Sequence, residues 1–121
     1  MSRRILCIAV IVATLMAPPA QAHDIPVNTG TGLLANCTIR DDDQSEVEHH
    51  VGVCLGFIKG VGNTWVLNNP TAWCLPANFE NKALIDAVVS RLQLLPKSLR
   101  DEPSAPLIVS AIEAAYHCPK R

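Results

Sequence analysis

Residues 45–65 read SEVEHHVGVCLGFIKGVGNTW, and this stretch decides the fold. Val47, Val51, Cys54, Leu55, Ile58, Gly62 and Trp65 recur at helical spacing and form one apolar stripe. Ser45 and Glu48 have the spacing of a capping box, which predicts a helix start at Ser45. Asp42, Asp43 and Glu46 suit the positive end of that helix. Gly52, Gly56 and Gly60 lie four residues apart on a second stripe, opposite the first. Each glycine costs a helix about 1 kcal/mol relative to alanine, so a compensating contact is expected. Three readings stand: close packing of a neighbouring helix in the same domain, a subunit or partner interface, or a helix that breaks at Gly60 or Gly62.

Working outward, Gly32–Ile39 predicts a short helix with Leu33, Leu34 and Cys37 inward. The charged run from Arg40 to Gln44 reads as a solvated turn. After Asn68-Asn69-Pro70 and the connector Trp73-Cys74-Leu75-Pro76, Asn78 is placed to cap a third helix. That helix carries Leu84, Ile85, Val88, Val89, Leu92 and Leu95, and Pro96 stops it. Lys97–Pro103 reads as a charged loop. A fourth helix begins at Ser104 or Ala105 and presents Leu107, Ile108, Ala111, Ile112, Ala115 and Tyr116. No stretch alternates as a strand would. The fold class is all-α, a small bundle of about four helices stapled by two disulfides.

The staples follow from cysteine usage. Arg3 and Arg4, the apolar run Ile5–Met16 and Ala20-Gln21-Ala22 have the order of an export signal, with cleavage expected after Ala22. The run is shorter than the roughly 20 residues that span a bilayer. Residues 1–22 therefore read as a signal peptide, 23–31 as a flexible N-terminal arm and 32–121 as a single α-helical domain. Cys7 falls inside the leader. Cys37, Cys54, Cys74 and Cys118 remain for an oxidising compartment, the periplasm of a Gram-negative cell. Four cysteines allow three pairings. A short connection makes the last two helices antiparallel, which favours Cys74 with Cys118 and leaves Cys37 with Cys54.

Composition narrows the function. Removing the first 22 of 121 residues takes away two arginines and leaves 8 basic against 11 acidic residues. A mildly acidic domain is a poor partner for nucleic acid, and no second apolar run is long enough for a membrane. No phosphate loop, Cys-x-x-Cys or Ser-His-Asp arrangement is present, so no catalytic residue, cofactor or metal site is assigned. His49 and His50 are adjacent and diverge by about 100° on a helix. Glu46 and His50 have a usable spacing, but two ligands make a weak metal site. The reading is of a binding protein. Its first candidate contact surface is Lys97, Ser98, Leu99, Arg100, Asp101 and Glu102, held between two helix ends. Asp41, Asp42 and Asp43 form a second, matched to a basic rim. Trp65 and Trp73 are either interface anchors or covers for a small core.

Three motifs in order carry a family likeness: Cys54-Leu55-Gly56-Phe57-Ile58-Lys59-Gly60, then Cys74-Leu75-Pro76, then Ala115-Tyr116-His117-Cys118. Together, behind a leader and at this length, they resemble the Tai/Rap immunity proteins of bacterial type VI secretion, from Gly32 to Cys118. The resemblance implies a small α-helical periplasmic protein, a homodimer, that binds a peptidoglycan amidase effector and occludes its papain-like cleft. It implies no chemistry by the inhibitor itself. His117 departs from the family pattern, where proline is expected. The competing expectation is a small periplasmic acid-stress chaperone or structural binding protein, suggested by the acidic cluster at Asp41–Glu48 beside two histidines. Charged residues at only 17% and two disulfides weigh against a large charge-driven opening.

Overall fold

The computed structural model describes residues 24–119. Among them are five helices: α1 (Gly30–Thr38), α2 (Gln44–Asn68), α3 (Asn81–Leu94), α4 (Lys97–Arg100) and α5 (Ser104–Tyr116). The described residues form no strand, only isolated bridges from Thr29 to Pro103 and from Trp73 to His117. The all-α expectation holds, with one helical turn, α4, added inside the expected charged loop. Neighbouring contacts run α1–α2–α5–α3 and back to α1, closing a four-membered ring around one core.

That core is aliphatic because the chain has little else to offer. Leu33, Cys54, Ile58, Leu84, Val88, Leu92, Ile108, Ala111 and Ile112 are buried. Burial of a whole aliphatic side chain contributes about 1.5–3 kcal/mol. Phe79 stands edge-on to Tyr116, with centroids 5.5 Å apart, and seals the end near Trp73. Gly62 is buried because Trp73 lies across it; a Cβ there would sit 3.2 Å from the indole.

Both expected disulfides are present. Cys37–Cys54 joins the last turn of α1 to α2 across 17 residues, and Cys74–Cys118 joins the α2–α3 connector to the tail after α5 across 44. The Cys74 amide also donates to the Tyr116 carbonyl at 2.8 Å.

Several boundaries differ from the sequence expectation. α2 is capped by Asp43, not Ser45: the Asp43 carboxylate accepts from both the backbone N–H and the hydroxyl of Ser45. A carboxylate interacts with the helix dipole as well as the N–H, so it displaces the neutral hydroxyl from the cap position. α3 starts after Glu80, two residues later than an Asn78 cap would place it, and no side chain caps it. α2 runs unbroken through Gly60 and Gly62 to Asn68, which removes the broken-helix reading. α1 starts at Gly30, inside the expected flexible arm. The residues before it are fastened: Asn36 Nδ2 donates to the Ile25 carbonyl, Ser104 Oγ to the Val27 carbonyl and the Ser104 amide to the Asn28 carbonyl. The leader, Cys7 and His23 lie outside the described residues.

Loop-closure entropy assigns about 3 kcal/mol to the shorter bridge and about 4 kcal/mol to the longer. Cys54 is fully buried, whereas Cys74 is exposed. Graded reduction followed by alkylation and mass spectrometry should therefore open Cys74–Cys118 first. Full reduction should abolish the cooperative melt followed by circular dichroism.

Candidate partner-binding surfaces

The sequence singles out Lys97–Glu102, and the structure places it at the corner between α3 and α5. Pro96 precedes a single turn, in which the Lys97 ammonium pairs with the Asp101 carboxylate. Thr31 Oγ1 donates to the same carboxylate at 2.6 Å, and the Gly30 amide donates to the Glu102 carbonyl at 3.1 Å. The corner is thus sewn to the start of α1. Gly30 permits this approach: a Cβ there would lie 2.7 Å from the Arg100 carbonyl oxygen. The hydrogen bond from Lys97, and then that from Thr31, holds the Asp101 carboxyl below its ordinary range.

Two leucines stand outward at this corner among the exposed Lys97, Ser98, Asp101 and Glu102. Leu99 is 48% exposed and Leu94, at the end of α3, is 79% exposed. Arg100 is partly buried, and its enclosed Nε has no hydrogen-bond partner. Leu94 lies off the core-facing stripe of Leu84, Val88, Leu92 and Leu95, so helical periodicity does not single it out. An apolar residue two places past a stripe position, just before a stop proline, was the available signal.

The glycine stripe behaves differently from the own-domain packing expected of it. A Cβ at Gly52, Gly56 or Gly60 would meet nothing within 4 Å, so no helix of the described chain lies against that face. Along its flank runs an apolar groove of about 1050 Å³ between α2 and α5, lined by Phe57, Val61, Trp65, Pro106 and Val109 among others. Trp65 belongs to this groove rather than to the core and is 36% exposed. A second groove of about 540 Å³ lies on the other flank, with Lys59, Val66, Leu67, Leu75 and Phe79 in its lining. Trp73 also borders it, and the Trp73 Nε1 has no acceptor.

The acidic turn is ordered by its own hydrogen bonds. Asp41 Oδ1 accepts from the Asp43 amide at 2.8 Å. The Ser45 hydroxyl, and then the Ser45 amide, lower the Asp43 pKa. His50 is buried, and its Nδ1 lies 2.7 Å from Asn36 Oδ1. Asn36 Nδ2 already donates to two carbonyls, so its Oδ1 must accept and His50 Nδ1 carries the proton. The opposite nitrogen, Nε2, is 3.8 Å from Glu46. His50 thereby ties α2 to α1 and, through Asn36, to the arm.

Among the described residues no group of three or more His, Cys, Asp or Glu is placed to hold a metal ion. The described cysteines are all in disulfides, so none offers a thiolate nucleophile. No described helix is long and apolar enough to cross a membrane. What these surfaces offer is association: two apolar grooves, a bare helix face and a corner with two exposed leucines on a stapled helical frame.

This is the frame of a small disulfide-stapled binding protein. Its family is shown by a match to the model for Rap1a immunity proteins over residues 29–118. The chain belongs to the Rap1a immunity protein family, within the type VI effector immunity proteins. No curated protein matches it.

Two measurements check this description. Asp43 and Asp101 have folded pKa values below their unfolded ones, so their stabilisation is present above the ordinary carboxylate range and lost as pH falls through the lowered values. Asp43→Ala should lower the melting temperature at neutral pH and flatten the acid limb of the pH–stability curve. In urea unfolding of dilute protein, Gly32→Ala should cost more than about 1 kcal/mol, because its Cβ would strike the Pro26 carbonyl. Gly52→Ala, with open space around it, should instead gain up to about 1 kcal/mol.

Proposed function

We propose that the protein is exported by residues 1–22 to the periplasm, where it binds a peptidoglycan amidase effector and blocks its cleft. The protein acts by occlusion and performs no catalysis. Family membership over residues 29–118 carries the immunity reading, and the exposed Leu94 and Leu99 direct it to the α3–α5 corner. The corner is braced by the Lys97–Asp101 pair and by α1, so little conformational freedom would be lost when it enters a cleft. The two exposed leucines supply desolvation energy at the tip, with Lys97, Ser98 and Glu102 as a polar rim. The family likeness further suggests that the inhibitor acts as a homodimer.

The test is an assay of peptidoglycan hydrolysis by an amidase encoded in the same strain, titrated with the oxidised inhibitor. Stoichiometric inhibition with a Kd in the nanomolar class is expected. Leu99→Asp should weaken inhibition by about tenfold or more without lowering the melting temperature, since Leu99 lies outside the core. Full amidase activity at an excess of inhibitor would sink the proposal, as would binding confined to acidified mixtures of many clients, which is chaperone behaviour.

A further inference from the structure

Arg100 is a partly buried cation for which the described residues supply no partner. The adjacent acid, Asp101, has both carboxylate oxygens taken: Oδ1 accepts from Thr31 and Oδ2 from Lys97. Glu102, exposed two residues on, makes no ion pair with it; the described ion pairs involve His50, Lys82 and Lys97 instead. The Arg100 Nε is enclosed and has no acceptor, and the terminal nitrogens, also without a partner, remain accessible at the surface. Arg91 and Lys59 are unpaired too, but both are exposed and keep water around them. Arg100 has given up hydration at Nε and received nothing in exchange from its own chain, which is unfavourable for a charged donor.

We propose that Arg100 determines the specificity of the α3–α5 corner by taking a carboxylate of the effector, an Asp or Glu at the rim of the amidase cleft, in a two-pronged hydrogen bond. This rests on the immunity reading above and names the chemistry that the corner recognises in its partner. The guanidinium is a planar fork that matches a carboxylate, whereas the other cation of the corner, Lys97, is already engaged by Asp101. The backbone that carries Arg100 is held on both sides. Its amide donates to the Pro96 carbonyl at 3.1 Å, and the next amide, that of Asp101, donates to the Lys97 carbonyl at 2.9 Å. Its own carbonyl is pressed against Gly30. With the backbone fixed and part of the side chain enclosed, little freedom is lost when a carboxylate arrives. Leu99, 48% exposed beside it, would be covered by the same partner and would shut water out of the pair. A charge pair closed off from water in this way is the kind of contact that dominates an interface.

The test is isothermal titration of the oxidised protein against the purified amidase with no peptidoglycan present, so that any carboxylate involved is the effector's own. Arg100→Met keeps the apolar stem and removes the charge; it should weaken binding about tenfold or more and leave the melting temperature of the free protein unchanged. Arg100→Lys keeps the charge without the fork and should restore only part of the loss. The Asp and Glu residues of the cleft rim are then changed singly to Asn and Gln. One of these should reproduce the loss, and combining it with Arg100→Met should add nothing further, a coupling that a merely structural arginine would not show. Wild-type affinity in Arg100→Met, full restoration by Arg100→Lys, or losses that simply add for every rim carboxylate would each overturn the proposal. Wild-type protein that fails to bind the amidase would sink the immunity reading, and this proposal with it. The other three outcomes arise only when wild-type protein binds, so the two failures are distinguishable.

Discussion

The rest of the structure depends on how α1 is held. At nine residues it is too short to be helical in isolation, yet it contacts each of the other four helices. The Cys37–Cys54 bridge anchors its last turn to the buried face of α2. One turn away, Asn36 and His50 add a buried polar tie that also fixes the arm. Leu33 completes the anchorage from the core side. Because the α3–α5 corner is fastened to Gly30 and Thr31, the bridge on α1 reaches the proposed effector contact through two hydrogen bonds.

A protein built this way separates its rigid parts from its adhesive ones. The two disulfides, the aliphatic ring and the ordered acidic cap give a frame with little to rearrange. Exposed apolar groups sit at the corner and along α2. The glycines sharpen the point. Gly30, Gly32 and Gly62 are required by backbone or aromatic groups that press against them, whereas Gly52, Gly56 and Gly60 face nothing in their own chain. The first group is explained by folding. The second is a cost to helix stability that folding alone does not recover, which suits a surface built for association.

The acidic turn illustrates how a sequence feature changes meaning in the fold. In the sequence Asp41–Asp43 reads as a charge patch for a basic partner. Two of its members are occupied in local hydrogen bonding, with Asp41 receiving the Asp43 amide and Asp43 capping α2. Asp42 remains exposed. Asp101 is engaged in the same way, by Lys97 and Thr31.

Helical periodicity settled the four main helices in the sequence, because an apolar stripe has to be buried and spacing alone tells which residues share it. The same logic located Leu33, Cys54, Ile58, Leu84, Val88, Leu92, Ile108 and Ile112 in the core. Short connections sufficed to prefer the observed disulfide pairing, since antiparallel neighbours bring chain ends together. Tertiary structure alone decided the placement of Trp65 in a groove and the absence of any neighbour on the glycine stripe. Those outcomes depend on how helices approach one another in space. A stripe of glycines carries the same pattern whether a helix of its own chain lies against it or not, and only packing tells which.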